Sequence, residues 1–178
     1  MCNFDYRDVH LRPLAEADLP TTLEWRNRER TRVWFKQSDV VTHEAHKAWF
    51  ERYQNRPNEF MYIIESRTTG EKIGQVGLYA WDEEKREAEL GRLMAAPSGV
   101  PTGQIAQGTI AICDWGFRHL SLKRIYCEIF SDNAASLRVA RVAGLKQIGQ
   151  TGKLVLYDLD PSVGLRPDST FDTNHRPV

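Results

Sequence analysis

Residues 117–145 read FRHLSLKRIYCEIFSDNAASLRVARVAGL, and this stretch decides the fold. Apolar residues alternate along 124–130, which is the two-residue period of a β-strand with one buried face. Asp132 or Asn133 then offers an N-cap side chain, and Gly144 offers the glycine at which a short helix ends. The stretch therefore predicts a strand that is followed directly by a capped helix.

A longer helix and a glycine-containing loop precede this unit. Ala106, Ile110, Cys113 and Phe117 recur at helical spacing, and the loop GVPTGQIAQG at 99–108 leads into them. Backbone amides in such a loop and at a helix N-terminus attract phosphate groups. An ordinary turn before a helix would have the same composition, so both interpretations stay open.

The N-terminal half alternates helical and extended patterns. In residues 42–53, His46, Trp49, Phe50 and Tyr53 fall at i, i+3, i+4 and i+7, which predicts a helix with one apolar face. The remaining predicted elements are a strand at 9–14, helical structure at 16–33, strands at 60–66, 72–81 and 87–94, and two closing strands in LKQIG and KLVLYDL.

Length and charge limit the possible functions. The chain has 178 residues, with 24 basic and 24 acidic residues and no formal net charge. This length suits one domain, which we place at residues 1–160, followed by an irregular tail at 161–178. A neutral chain lacks the basic surface of proteins that bind nucleic acid or membrane surfaces, so we expect neither partner. A small-molecule substrate is expected instead.

Targeting and cysteine patterns add two expectations. No apolar run approaches the roughly 20 residues of a membrane helix, and the charged N-terminus lacks a signal-peptide core, so we expect a cytoplasmic protein. Cys2, Cys113 and Cys127 are an odd number without C-x-x-C spacing. We therefore expect neither a disulfide framework nor a metal site.

The element order β-α-α-β-β-β-α-β-α-β resembles the GNAT superfamily of acyl-CoA N-acyltransferases over about residues 8–159. The stretch ELGRLMAAP at 89–97 is similar to the family's fourth strand, with its E-x-G pattern, and 117–145 is similar to its fifth strand and following helix. The resemblance implies an α/β GNAT fold with a mixed, mostly antiparallel central sheet of six to seven strands and flanking helices. It also implies that the fourth and fifth strands splay apart.

Two shorter resemblances concern the substrate. WRNRERTRVWFKQSDVVTHEAHKAWF at 25–50 is similar to the branch that acetylates 4-amino sugars on nucleotide carriers. Asn-Ala-Ala-Ser at 133–136 is similar to the branch that acetylates ribosomal proteins. The first implies direct acetyl transfer from acetyl-CoA to an amino sugar in a ternary complex. We expect the protein to be a monomer or a homodimer. A protein N-terminus or another small amine is an alternative acceptor, and a non-catalytic ligand-binding module on the same scaffold is a further alternative.

The family resemblance also implies where acetyl-CoA binds. The fourth strand would hold the pantetheine arm and the loop with the next helix start would hold the pyrophosphate, although Ile105 stands where the family has a second small residue. Asn133 and Ser136 would bind the same co-substrate. The implied contacts are Leu93, Met94 and Ala95 in the strand, and Gly103, Gln104, Ile105 and Ala106 in the loop.

Acetylation requires a neutral amine, so a base must accept a proton. His46 is the leading candidate because its ordinary pKa of about 6.5 suits proton transfer near neutrality. Glu89, in the E-x-G pattern, is the second. Either one is alternatively a structural or solvated side chain. Relatives often carry a tyrosine that protonates the CoA thiolate, but that position is Ala140 here, which leaves water or a hydroxyl such as that of Tyr79 or Tyr157 as the donor.

Four side chains are candidates for binding the acceptor. Arg26 and Asn27 match the Arg-Asn pair of the sugar branch, and a guanidinium can engage a phosphate or a sugar hydroxyl. A solvated helix end is the alternative for this charged run. Trp34 and Tyr79 are expected to line the acceptor pocket.

Overall fold

A computed structural model describes residues 1–97, 99–101, 103–164 and 169–171. The strands are β1 (Phe4–Tyr6), β2 (Val9–Pro13), β3 (Phe60–Ser66), β4 (Lys72–Asp82), β5 (Glu87–Ala95), β6 (Arg124–Phe130), β7 (Lys146–Thr151), β8 (Leu154–Leu159) and β9 (Ser169–Phe171). The helices are α1 (Leu19–Asn27), α2 (Glu29–Arg32), α3 (His43–Gln54), α4 (Gln104–His119), α5 (Ala134–Ala143) and α6 (Pro161–Gly164), with a 3-10 turn at Glu16–Asp18. The nine strands form one sheet in the order β7-β8-β6-β5-β4-β3-β2-β1-β9.

The sheet is antiparallel except where β5 meets β6. These two strands pair in parallel only from Glu87 opposite Arg124 to Glu89 opposite Tyr126. Beyond that point β5 continues to Ala95 and β6 to Phe130 without pairing to each other. The splay that the resemblance implied is therefore confirmed, and it opens a V-shaped gap in the sheet.

Helices cover both faces of the sheet, and β3 shows which helix covers which face. Tyr62 and Ile64 pack in the cluster that contains α4, whereas Met61 and Ile63 pack with Phe50 of α3. Since alternate strand residues point to opposite faces, α3 and α4 lie on opposite sides. The predicted helix at 42–53 is confirmed as α3, and Thr42 caps it by accepting a hydrogen bond from the amide of Ala45 at 3.2 Å.

A buried ion cluster attaches the start of α1 to the sheet. Asp18, only 1% exposed, accepts hydrogen bonds from Arg12 at 2.7 and 2.8 Å and pairs with Lys72 at 2.7 Å. Burial acts to raise the pKa of Asp18, but the hydrogen bonds from Arg12 and Lys72 outweigh it and hold the pKa well below its usual range. The carboxylate therefore stays ionised and fixes the helix that carries Thr22 and Arg26.

A β-bulge interrupts β5 at the gap. In the β4–β5 register Gln75 faces Met94 and Gly77 faces Gly91, so two residues of β5 oppose Val76 alone. One of them, Arg92, has a φ of 50°. A residue other than glycine in this left-handed region costs roughly 1–3 kcal/mol, which neighbouring contacts must offset. The bulge redirects the side chains of β5 where the gap opens.

Two expectations about the chain ends need correction. The sheet has nine strands rather than six to seven, because β1 and β9 extend it beyond β2. The tail expected to be irregular contains α6 and β9, and β9 pairs with β1 in antiparallel register from Phe4 opposite Phe171. Three-residue strands are too short to show a period, and this pairing joins the two ends of the sequence. The rest of the predicted tail, at 165–168 and 172–178, lies outside the described residues.

Candidate active site

A cleft of about 1170 Å³ occupies the gap between β5 and β6. Its walls come from these two strands, from the segment that includes α1 and α2, and from one face each of α3 and α5. Most of the side chains singled out in the sequence lie on this surface: Arg26, Trp34, His46, Tyr79, Glu89, Leu93, Met94, Ala95, Ile105, Asn133 and Ser136.

The open edge of β5 fits the pantetheine arm of acetyl-CoA. Leu93, Met94 and Ala95 line the cleft, and the pairing of Met94 and Ala95 to β4 uses the opposite edge of the strand. Within the described ranges no strand covers the edge that faces β6 beyond Glu89. Backbone amides and carbonyls are therefore available there to an extended, amide-containing ligand.

The start of α4 fits an anionic group through its backbone. Gly103 is the N-cap with a φ of 93°, and the amide of Gln104 donates to the carbonyl of Pro101 at 3.2 Å. Because the first amides of a helix have no intrahelical acceptor, those of Ile105 and Ala106 suit an anionic ligand, and no acceptor for them is found among the described residues. Ile105 also lines the cleft, whereas the side chains of Gln104 and Ala106 are buried away from it. Residue 102 of this loop lies outside the described residues.

Asn133 begins α5 at the β6 side of the cleft. Its side-chain oxygen accepts a hydrogen bond from the amide of Ser136 at 3.1 Å, so Asn133 rather than Asp132 is the N-cap. Asn133, Ser136 and Ala140 all line the cleft. Tyr157, in contrast, is a core residue that is 3% exposed and does not line the cleft, so it is not positioned to donate a proton there.

Tyr79 and Glu89 form a hydrogen-bonded pair where β5 and β6 begin to separate. The two residues face each other in the β4–β5 register, and the Tyr79 hydroxyl donates to the Glu89 Oε1 at 2.6 Å. Burial, followed by the hydrogen bond to Glu89, raises the pKa of Tyr79 well above its usual range. Tyr79 therefore remains a neutral donor that holds one carboxylate oxygen.

His46 lies in the wall that α3 contributes. Its Nε2 is 3.0 Å from the Thr22 hydroxyl, which also donates to the carbonyl of Asp18 at 3.1 Å. The Thr22 hydroxyl is also 3.3 Å from the carbonyl of Leu19. A His46 tautomer with the proton on Nε2 is compatible with a hydroxyl that donates to either carbonyl, and it leaves Nδ1 unprotonated. Burial and the nearby charges of His43 and Arg26 lower the pKa of His46, so the ring is neutral near pH 7.

The structure adds two residues that the sequence did not single out as functional. Arg92 lines the cleft between Trp49 and Tyr79, and no periodic pattern marks it because its orientation depends on the bulge. Cys127 lines the cleft from β6, and burial, followed by the charge of Glu89, raises the pKa of its thiol to about 12. Its thiol therefore stays protonated and is not an activated nucleophile.

The predicted Arg-Asn pair divides into two roles. Arg26 lines the cleft and donates from Nη2 to the carbonyl of Gln37, while its Nη1 is buried without a hydrogen-bond partner among the described residues. Asn27 is not part of the cleft surface, and its amide pairs with the backbone of Val41 at 2.7 and 2.8 Å. The structure thus supports Arg26 but not Asn27 as a ligand contact. Trp34 lines the cleft with its ring centroid 6.3 Å from that of Phe130.

The described part of the chain contains no cluster of three or more His, Cys, Asp or Glu side chains that could hold a metal ion. None of its helices combines the length and apolar character that crossing a bilayer requires.

Comparisons with known proteins agree with this geometry. The chain is 34% identical over 86 residues to the uncharacterized N-acetyltransferase YoaA of Bacillus subtilis (strain 168), a match that spans 48% of each protein, about half the relative's length. The fold superposes on spermidine N-acetyltransferase from Vibrio cholerae in complex with CoA and spermine, with a TM-score of 0.80 and 18% identity over 90% of this chain and 99% of that one. It also superposes on FdhC, a nucleotide-linked sugar GNAT, with a TM-score of 0.79 and 19% identity over 91% and 92% of the two chains.

The family model for the acetyltransferase (GNAT) domain matches residues 8–146, which include the bulged strand, the cleft and the start of α4. The match covers most of the chain, and the splayed strands provide the cleft around which the candidate site is built. This chain belongs to the GNAT acetyltransferase domain family.

Proposed function

We propose that the protein transfers the acetyl group of acetyl-CoA to the primary amine of an amino sugar on a nucleotide carrier. The observation that carries the reaction type is the hydrogen bond of 2.6 Å between Tyr79 and Glu89 at the opening of the cleft. This hydrogen bond supports the proposal because Glu89 is a carboxylate with one oxygen already bonded and it lines the same cleft as Leu93, Met94 and His46.

Glu89 is the base in this proposal. Acetyl-CoA, when bound, supplies a thioester carbonyl to be attacked by the amine. Tyr79 holds Oε1 of Glu89, so Oε2 is the oxygen that accepts the proton released by the amine, directly or through one water. As the carbon–nitrogen bond forms and the carbon–sulfur bond breaks, Glu89 retains that proton and solvent in the cleft protonates the departing thiolate. Ala140 offers no acidic proton for this last step.

His46 is assigned a supporting role. Its Nε2 bonds to Thr22, and its ring stacks on Trp49 with a centroid separation of 5.3 Å. These contacts hold the imidazole in the wall. In the tautomer with the proton on Nε2, Nδ1 can accept a hydrogen bond from a hydroxyl or ammonium group of the amine substrate. Because burial keeps His46 neutral near pH 7, it adds no positive charge beside the amine.

The charges of the cleft support an anionic acceptor. Arg26 and Arg52 line the cleft and form no ion pair with a carboxylate among the described residues. A buried donor such as Nη1 of Arg26 is costly when it is unpaired, and a phosphate oxygen would satisfy it. Among the described residues that line the cleft, the carboxylates are Glu128, which pairs with Lys36, and Glu89, which accepts a hydrogen bond from Tyr79 at one oxygen. The fold likeness to a nucleotide-linked sugar GNAT supports the same acceptor class.

A polyamine is the principal competing acceptor, because a spermidine N-acetyltransferase has a similarly close fold. A polyamine carries several positive charges and needs acidic partners along its length. Arg26 and Arg52, which have no carboxylate partner in the part of the chain that the structure describes, oppose it here. A protein N-terminus, which carries a single amine on a longer chain, is the second competitor.

An acceptor panel tests the proposal. Purified protein is incubated with acetyl-CoA and, separately, a nucleotide-linked 4-amino sugar, the free amino sugar, spermidine and a short peptide. Released thiol is measured together with the mass of the acetylated product. We expect the nucleotide-linked sugar to give the highest kcat/KM, and Glu89→Gln to lower its kcat by about 10²-fold or more. Preference for spermidine would overturn the acceptor class, and acetylation of none of the amines would overturn the enzymatic proposal.

A further inference from the structure

Arg92 is placed in the cleft by the bulge of β5. Two residues of β5 oppose Val76 at this point, and Arg92 takes the left-handed backbone conformation there, with a φ of 50°. Such conformations persist where surrounding contacts determine them, and they cluster at functional sites. The contacts of the Arg92 side chain are the interactions that can stabilise its left-handed backbone conformation.

The guanidinium of Arg92 lies between two aromatic rings. Its central carbon is 4.8 Å from the ring centroid of Tyr79 and 5.6 Å from that of Trp49. Both separations are within the range of cation–π attraction. Trp49 in turn stacks on His46, so Arg92 connects the wall that contains His46 with the hydroxyl group that holds Glu89.

A buried carboxylate forms an ion pair with Arg92. Nη1 of Arg92 is 3.2 Å from Oε2 of Glu59, which is 7% exposed, and this oxygen has no hydrogen-bond partner among the described residues, so the contact is electrostatic. The other oxygen of Glu59 accepts a hydrogen bond from Arg56 at 2.5 Å. Glu59 thus has two arginine partners, but the contacts to Trp49 and Tyr79 belong to Arg92. Substitution of Arg92 therefore removes the ring contacts, whereas substitution of Arg56 removes only a partner of Glu59.

We propose that Arg92 is a positioning residue: Glu59 fixes its guanidinium, and the guanidinium holds the Tyr79 ring in the orientation that keeps its hydroxyl on Glu89. The inference rests on the proposed role of Glu89 as the base. Arg92 acts through Tyr79, so its loss should slow the chemical step and leave the binding of the acceptor largely unchanged.

Steady-state kinetics of four variants test whether Glu59 acts through Arg92, and Arg92 through Tyr79, on the chemical step. For Arg92→Gln we expect kcat to fall about 10- to 100-fold, while the KM values for acetyl-CoA and acceptor stay within about threefold. Arg92→Lys keeps a cation beside Glu59 and should recover most of kcat. Glu59→Gln should lower kcat in the same direction, and its effect should not add to that of Arg92→Gln.

The matched control is Arg56→Gln, which removes the other partner of Glu59 without touching either ring. We expect its kcat to stay within about twofold of the parent protein, since it leaves the Arg92 contacts intact. Two outcomes would overturn the proposal. One is an increase in acceptor KM at unchanged kcat in Arg92→Gln, which would make Arg92 a direct acceptor contact. The other is an equal loss of kcat in Arg56→Gln, which would make the whole ion cluster structural.

A crystal structure of Arg92→Gln separates this inference from the proposed function. We expect the Tyr79 hydroxyl to move beyond hydrogen-bonding distance of Glu89, more than about 3.5 Å from Oε1. An unchanged separation would overturn the positioning role even if the enzyme were active. If the parent protein acetylates no amine, the proposed function fails, and the same structure still shows whether Arg92 controls the Tyr79 position.

Discussion

Gly91 lies directly against the Tyr79 hydroxyl. A β-carbon at position 91 would come within 2.8 Å of the Tyr79 oxygen and 3.0 Å of its Cε1 atom. Glu89, two residues earlier in β5, accepts the hydrogen bond of the same hydroxyl at 2.6 Å. The E-x-G pattern of this strand therefore has a local physical basis: one residue binds the hydroxyl and the other leaves room for it.

Gly91→Ala should displace Tyr79 from Glu89. The added methyl group meets a ring confined between β5 and Arg92, so the hydroxyl must move by several tenths of an ångström. We expect kcat to fall by about 10- to 100-fold with little change in acetyl-CoA affinity, because orientation errors of this size affect the chemical step. Gly149→Ala is the matched control, since its β-carbon would make an ordinary contact of 3.5 Å with Leu156, outside the cleft. A normal kcat in Gly91→Ala would contradict the assigned role of the Tyr79–Glu89 pair.

Gly103→Ala tests the start of α4 as an anion site. Gly103 has a φ of 93° with no atom within 4 Å of an added β-carbon, so the substitution strains only the backbone. Gly152, with a φ of 58° and equal space, has a left-handed backbone as well and lies in the turn between β7 and β8, away from the cleft. Each alanine should destabilise the protein by about 1 kcal/mol. Calorimetric titration with CoA should show about tenfold weaker binding for Gly103→Ala alone. Equal affinities in the two variants would show that this loop does not hold the pyrophosphate.

Local signals were sufficient for the elements with regular periods. The apolar face of α3 and the strand-helix unit that ends at Gly144 are visible in the sequence, because each depends on neighbours a few residues apart. Local signals were not sufficient to predict the cleft. The separation of β5 from β6 follows from how two distant strands pair, and it was expected from family resemblance rather than from any period.

Three long-range contacts show where local reasoning ends. Asn27 matched a sequence pattern, but whether its amide meets a ligand or the backbone of Val41 depends on the course of a loop 14 residues later. Arg92 depends on a bulge and on a carboxylate 33 positions earlier in the chain. The edge strand β9 exists only through its pairing with β1. None of these long-range contacts leaves a periodic trace.

The buried His46 should make stability depend on pH in the mildly acidic range. Burial lowers its pKa in the folded state, so the unfolded chain binds a proton first as pH falls below about 6.5. The associated stability is present above that pH and is lost as pH falls toward the lowered folded-state pKa. His46→Gln, which can still hydrogen bond to Thr22, should show a flatter dependence between pH 5 and 7, by at most about 1.4 kcal/mol per pH unit. Urea unfolding midpoints of both proteins across this range provide the measurement, and parallel curves would refute a buried neutral His46.

Residues 30–37, in α2 and the segment after it, include six that line the cleft, and one ion pair joins this segment to β6. Arg30 donates to the carbonyl of Pro97, just after β5, at 2.6 Å, while Lys36 pairs with Glu128 on β6 at 2.7 Å. Lys36 is 70% exposed, so the pair is worth at most about 1 kcal/mol, or a fivefold effect, and salt screens it.

Lys36→Glu should therefore accelerate CoA dissociation by no more than about fivefold, because it replaces the attraction to Glu128 with repulsion. Stopped-flow displacement of CoA at low salt measures this rate. The difference should vanish at about 1 M salt, where charges are screened within about 3 Å. Exchanging both charges, in Lys36→Glu with Glu128→Lys, should restore the parent rate, since the pair is rebuilt with opposite polarity. The opposite result would be a change of more than tenfold in the dissociation rate that remains at high salt and is not reversed by the charge exchange. Lys36 would then contact the ligand itself, and this segment would be part of the binding site.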